Sequence, residues 1–180
     1  CPIPASVKPG TYTGKLVVKA DGKVVGRLNL SVQAQEQVLP EPKDWHFHLD
    51  LWQNPYAVAR YHQVEPWSDE HMEAMRPVMT MLAQAGQKVI TTTLIHKPWG
   101  GQTQDHFESM VEWVKKSDGT WKYGFDIFDK WVSFMMECGV TEQINCFSIA
   151  PWHSAFRYFD EATGEYAYVN AEVGTSEYEE

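Results

Sequence analysis

Residues Trp45 to Pro55 read W-H-F-H-L-D-L-W-Q-N-P, and the chain changes character across them. Phe47, Leu49 and Leu51 alternate with His46, His48 and Asp50, the period of a half-buried strand. The spacing predicts a strand from Trp45 to Trp52, ended by Pro55. Its far end carries an acid, an indole and two amides: Asp50, Trp52, Gln53 and Asn54.

Downstream, helices and strands alternate. After a long connection from Gln53 to Trp67, Ser68 is a good helix N-cap, followed by Asp69 and Glu70 where the helix dipole favours acids. Met72, Met75, Met79 and Leu82 recur at helical spacing, Pro77 predicts a kink and Gly86 a stop. A strand is expected over Val89 to Ile95, ending in His96, Lys97, Pro98 and Trp99. An insertion then runs to Gly124, with a helix-like segment near His106 to Lys116 and a turn at Asp118-Gly119. Phe128, Trp131, Met135 and Cys138 mark a helix from about Phe125 to Cys138. A third strand is expected over Gln143 to Ala150, followed by Pro151, Trp152 and His153. Phe156 to Phe159 and Tyr166 to Val169 flank D-E-A-T-G-E, a hairpin turn. The repeated order of helix, Gly, a few polar residues and strand implies βα units and a parallel sheet. Helix-to-strand loops are short and strand-to-helix loops long, which fits a site at the carboxyl ends of the strands.

Upstream, Thr11 to Lys19 and Val24 to Val32 are strand-like, joined by Asp21-Gly22, which favours a type I′ turn. One hairpin is marginal alone, so it reads as the last hairpin of a β-sandwich. Gln33 to Lys43 is polar and holds Pro40 and Pro42, a linker composition. The expected fold class is therefore α/β, with 1–38 belonging to a sandwich and 39–180 to the βα region.

The chain has 180 residues, 43% of them hydrophobic, enough for a sizeable core. A net charge of -9 argues against nucleic acid as a partner, since phosphate binding needs clustered Lys and Arg. No apolar run is long enough to cross a bilayer, and no signal peptide opens the sequence. Cys1 stands where a processed lipoprotein begins, but a strand-like stretch follows instead of a tether, so the chain reads as starting inside a larger protein. The acids between Asp160 and Glu180 read as a solvated face. Cys1, Cys138 and Cys146 have no ligand spacing, and the last two are expected in the core.

Eight Trp is a high count, and three of them follow expected strand ends: Trp52, Trp99 and Trp152. Each has polar company: Gln53 and Asn54, His96 and Lys97, and His153. Indole faces beside hydrogen-bonding groups suit a flat, hydroxyl-rich ligand such as a sugar. The competing reading is that these rings seal the core, the commoner use of large aromatics.

Several segments resemble glycoside hydrolase family 123: W-H-F-H-L-D-L-W-Q-N-P-Y-A-V-A-R-Y, K-P-W-G-G-Q-T, D-G-T-W with F-D-K-W-V-S-F-M-M-E-C-G, and Q-I-N-C-F-S-I-A-P-W. The resemblance covers about residues 44 to 180. It implies a β-sandwich followed by a (β/α)8 TIM barrel, of which this chain would hold the first three βα units. It implies removal of terminal β-linked N-acetylgalactosamine from a glycan or glycolipid substrate, in a secreted, periplasmic or cell-surface bacterial enzyme. The implied chemistry is substrate-assisted, with an Asp orienting the 2-acetamido group and an adjacent Glu as general acid. No cofactor and no metal are implied.

The resemblance expects that Asp-Glu pair near a fourth strand. Asp69-Glu70 reads as helix N-terminal charge and Asp160-Glu161 as a turn, so no catalytic residue is assigned within 1–180. The 180 residues then read as one wall of a pocket, inactive without the remainder of the polypeptide. The substrate-binding candidates are Asp50, Trp52, Gln53, Arg60, Tyr61, Lys97, Trp99, Trp152 and Tyr158, with His62 beside Tyr61. Two alternatives stand. One is a non-catalytic carbohydrate-binding or scaffold protein. The other is a metal-dependent amidohydrolase using His46 and His48, which share a strand face but lie at its starting end.

Overall fold

Two β-strands and a turn make up the regular structure of the first part of the chain. The computed structural model describes residues 3–147 and 150–179, and its contacts divide the chain into two units, Cys1–Glu41 and Pro42–Glu180. In the first, β1 (Gly10–Ala20) pairs antiparallel with β2 (Lys23–Ala34). Asp21 and Gly22 take φ of 49° and 76°, the two left-handed positions that a type I′ turn demands. Leu16, Val17, Val25 and Leu28 are all exposed, because a two-stranded ribbon cannot cover both of its own faces.

The second unit is mixed α/β. Helices α1 (Pro55–His62) and α2 (Asp69–Gln84) precede β3 (Val89–Thr93). The strands β4 (Glu112–Lys115) and β5 (Trp121–Gly124) then lead into α3 (Asp126–Glu137). After it come β6 (Gln143–Phe147), β7 (Ala155–Asp160), β8 (Glu165–Asn170) and the short α4 (Ser176–Glu179). β3 and β6 are parallel, from Val89 opposite Gln143 to Thr93 opposite Phe147, and α3 lies in the connection between them, as the βα grammar requires. The remaining strands form a second sheet in the order β5-β4-β7-β8. The expected hairpin around D-E-A-T-G-E is the β7–β8 pair.

The core is the contact of α2 and α3 with β3. Met72, Met75 and Met79 of α2 meet Trp131, Phe134 and Met135 of α3, and Cys138 just past its end, over Ile90. Both helical stripes read from the sequence are therefore core faces, with Leu82 and Phe128 at the rim. Trp131 is fully buried, and its Nε1 donates to the Thr91 carbonyl at 2.9 Å, so the polar edge of the indole is satisfied. Ser68 caps α2 as expected, accepting from the His71 main chain at 3.2 Å. Gly86 has φ of 90°, and a Cβ there would come within 2.9 Å of the Trp45 ring, so only Gly fits.

Four expectations are corrected. The stretch from Trp45 to Trp52 forms no regular strand; it makes a single parallel bridge, Leu49 to Gln87. Side chains replace the ladder beyond that bridge. Gln87 Oε1 accepts from Leu51 N at 3.0 Å, and Gln53 Oε1 accepts from Thr91 N at 2.8 Å. Second, the connection after Gln53 contains α1, with Asn54 accepting from Ala57 N at 3.2 Å as N-cap and Pro55 in the first turn. Third, the segment near His106 to Lys116 is not helical but ends in β4, whose Trp113 and Val114 favour strands and pair with β5 on one side and β7 on the other. Fourth, Cys146 is exposed on β6, whereas Cys138 is buried as expected. The expected third strand is β6 up to Phe147; Ser148 and Ile149 lie outside the described residues.

Candidate functional site

The carboxyl ends of the parallel segments bring aromatic rings together. Trp52 and Trp99 stack with centroids 5.3 Å apart and planes 23° from parallel. Phe147, the last residue of β6, meets both edge-on at 4.5 and 5.1 Å, and Phe107 backs Trp99 at 4.9 Å. Trp52 is 56% exposed, so the cluster is a platform open on one side. Sequence reading chose the two indoles and missed Phe147, whose signal is only its place as the last apolar residue of the strand.

Trp152 does not join the stack. It is 64% exposed, and its main-chain N donates to the Pro98 carbonyl at 3.1 Å. Lys97 sits beside the platform in a cleft of about 280 Å³ that also takes in His96, His106, His153 and Tyr168. Gly100 lets this cleft form: its φ is 60°, and a Cβ would lie 2.5 Å from His153 Nε2.

Asp50 is half-buried, and its Oδ1 is buried with no hydrogen-bond partner among the described residues. Gln53 is 2% exposed, with its amide directed to the Leu51, Val89 and Thr91 main chain. It therefore joins the first segment to β3. Arg60 is likewise engaged: Nε and Nη2 donate to the Asp105 carboxylate at 2.6 and 3.0 Å, tying α1 to the insertion after β3. Tyr61 is 78% exposed, its ring edge-on to His62. Tyr158, on β7, packs edge-on against Trp121 at 5.2 Å and lines a different, larger cleft. His46 and His48 are both exposed, not turned inward, and among the described residues no three His, Cys, Asp or Glu side chains are placed to share a metal ion.

Between the clefts runs an ion-paired wall that sequence reading did not find. Glu108 Oε2 meets His96 Nδ1 at 2.7 Å and Arg157 Nη2 at 2.6 Å. The Glu108 carbonyl accepts from Thr93 Oγ1 at 2.7 Å and Tyr56 Oη at 3.2 Å. Burial, with Glu108 alongside, pushes the Tyr56 hydroxyl far above its ordinary value, so it stays a donor. The hydrogen bond from His96 holds the Glu108 carboxyl below its ordinary 4.5, against an opposing effect of burial.

A depressed carboxylate stabilises the fold above its unfolded value and loses that contribution as pH falls through the folded one. The stability difference between wild type and Glu108→Gln is thus expected to be full at neutral pH and to shrink below the ordinary 4.5. Thermal unfolding of both proteins from about pH 3 to 7 measures this, and a difference that stays constant would show that the carboxylate charge is not what stabilises the wall.

The fold and this face define a class: an α/β protein whose candidate ligand surface is built on the carboxyl ends of parallel strands. Residues 52–180 match the family model described as "Glycoside hydrolase 123, catalytic domain", and the chain belongs to that family. The structure is also similar to that of a family 123 glycoside hydrolase from Clostridium perfringens, analysed for the details of glycolipid glycan hydrolysis. The two share 30% sequence identity with a TM-score of 0.92, over 98% of this chain and 32% of that one. This chain thus spans about a third of the length of that relative. No curated protein sequence matches it.

Proposed function

We propose that the chain forms one wall of the pocket in a glycoside hydrolase that removes terminal β-linked N-acetylgalactosamine from glycans or glycolipids. The observation that carries this reading is the exposed Trp52–Trp99 platform beside the His96–Lys97 cleft, in a chain of this family. A pyranose lays its apolar face on an indole and turns its hydroxyls to polar neighbours. Asp50, two residues before Trp52 and half-buried, is the carboxylate proposed to accept from such a hydroxyl.

The reaction proposed is retaining and substrate-assisted. The acetamido oxygen of the sugar attacks the anomeric carbon as the glycosidic bond breaks, and a carboxylic acid protonates the leaving oxygen. Water then opens the cyclic intermediate. Neither Asp-Glu pair of these residues suits the acid role. Asp69 and Glu70 begin α2; Asp160 Oδ1 accepts from Ala162 N at 2.9 Å, and Glu161 holds Lys116 at 2.6 Å. We therefore assign the pair to further sequence of the same polypeptide. The same reading makes the parallel β3–β6 unit part of a (β/α)8 barrel and the β1–β2 ribbon the end of a β-sandwich. The exposed apolar faces of β2 and of Ile144 on β6 support both, since each needs cover. A substrate of this type puts the enzyme outside the cytoplasm: secreted, periplasmic or on the cell surface.

The test is hydrolysis of p-nitrophenyl N-acetyl-β-galactosaminide by the intact polypeptide, with the released sugar followed by NMR. Release with retained β configuration is expected. Binding of the sugar without release would favour a non-catalytic carbohydrate-binding protein instead.

A further inference from the structure

His71 is fully buried in the first turn of α2, and no step of the proposed reaction uses it. Both of its ring nitrogens meet main chain: Nδ1 lies 2.9 Å from Trp67 N, and Nε2 lies 2.8 Å from the Pro55 carbonyl. These partners fix its protonation. A main-chain N–H can only donate, so Nδ1 is the bare acceptor; a carbonyl can only accept, so Nε2 carries the hydrogen. The ring is therefore neutral in this fold. Trp67 depends on that bond. Its φ of 67° lies in the left-handed region, which a residue with a bulky side chain holds only when its surroundings enforce it. Its carbonyl accepts from Lys130 Nζ at 2.6 Å, and its ring meets Tyr56 and Trp131 edge-on at 5.6 and 6.0 Å. So held, Trp67 closes the connection between α1 and α2 and lines the larger cleft, of about 600 Å³.

We propose that His71 is an acid-sensitive latch: a proton taken up by Nδ1 sets N–H against N–H, releases the Trp67 turn and opens the larger cleft at that wall. The Pro55 contact survives, because Nε2 keeps its hydrogen, so the release is confined to the connection and leaves the start of α1 in place. The surroundings resist the proton. Burial, opposed by the Pro55 carbonyl, pushes the His71 ring below its ordinary 6.5, and positive charge on His62 of α1 and Lys130 of α3 acts in the same direction as burial. The N-terminal end of α2 adds its positive dipole end. Of the flanking acids, Asp69 lies 3.7 Å from Lys130, and neither it nor Glu65 nor Glu70 pairs with His71 among the described residues. Opening returns the ring to its ordinary value. The closed connection is thus fully stable above 6.5 and loses that stability as pH falls below it.

The test is hydrogen exchange of the intact polypeptide read by mass spectrometry, with intrinsic exchange rates divided out. From about pH 7 to about pH 5, protection of the peptide over residues 63–68 is expected to fall about tenfold, while the core amides of α2 and α3 hold theirs. His71→Asn places an amide oxygen, which does not titrate, where Nδ1 stood, and should abolish that fall. His62→Gln should keep the fall and move it to slightly higher pH, since one opposing charge is gone. The wild-type comparison of connection against core decides even where His71→Asn folds poorly. Protection over 63–68 that does not change with pH, or that falls equally in the cores of α2 and α3, would overturn the latch. So would a folded His71→Asn protein that loses protection as the wild type does.

Discussion

In the intact enzyme, Trp52→Ala is expected to lower kcat/KM on a terminal N-acetylgalactosaminide by about 30-fold, while the unfolding midpoint stays within error of wild type. Stacking of a flat ring on an aromatic side chain contributes about 2 kcal/mol, and each 1.4 kcal/mol or so is tenfold in rate. Stability is spared because the indole is 56% exposed and rests on Trp99 and Phe147, which keep each other's contact at 5.1 Å without it. Trp99→Ala is the informative comparison. That ring also packs on Phe107 at 4.9 Å, so its loss should reduce both activity and stability. Kinetics of Trp52→Ala indistinguishable from wild type would remove the platform from the site. A stability loss as large as that of Trp99→Ala would make Trp52 a packing residue.

The fold was legible where the signal was local and periodic. The methionine stripe of α2, the Trp131 stripe of α3 and the Asp21-Gly22 turn each follow from spacing or from backbone conformation alone. It was less legible where a side chain substitutes for the backbone. Alternation from Phe47 to Leu51 predicts a strand, but Gln87 and Gln53 supply the hydrogen bonds that a ladder would make, and only one bridge remains. The helix α1 was readable from Asn54-Pro55, a cap followed by a residue suited to the first turn, and was hidden by reading Pro55 only as a strand breaker. In the site, the adjacency of Trp52 and Trp99 follows from both lying in the segments that leave the carboxyl ends of neighbouring parallel stretches. The His96–Glu108–Arg157 wall does not, since Glu108 and Arg157 lie on different insertions and nothing in either segment records the pairing. Trp152 carried the same signal as Trp99 and remains outside the stack, because its position depends on the chain after β6 and not on the strand itself.

Gln53→Leu is expected to destabilise the fold by about 3 kcal/mol, the largest single loss foreseen outside the apolar core. Leucine has nearly the same volume, so the cost is not a cavity. It comes from Thr91 N–H, which is buried and has Gln53 Oε1, at 2.8 Å, as its acceptor. The carbonyls of Leu51 and Val89 are less affected, because Gln87 Nε2 also donates to them at 3.1 and 2.7 Å. That sharing makes the two glutamines interdependent. Gln87→Leu alone leaves both carbonyls served by Gln53 Nε2, whereas the double variant orphans them. The double variant should therefore lose more than the sum of the single losses, by about 1 kcal/mol or more. The arrangement also bears on activity. Trp52 is held between Leu51, bound to Gln87, and Gln53, bound to Thr91 and Val89, so the amides fix the platform against β3. Gln53→Leu, assayed well below its unfolding midpoint, should then raise KM for the sugar. Denaturant midpoints for the single and double variants, with KM measured on each, decide the matter. Additive losses would mean that the shared carbonyls find other donors, and an unchanged KM in Gln53→Leu would mean that the platform does not depend on the amides beneath it.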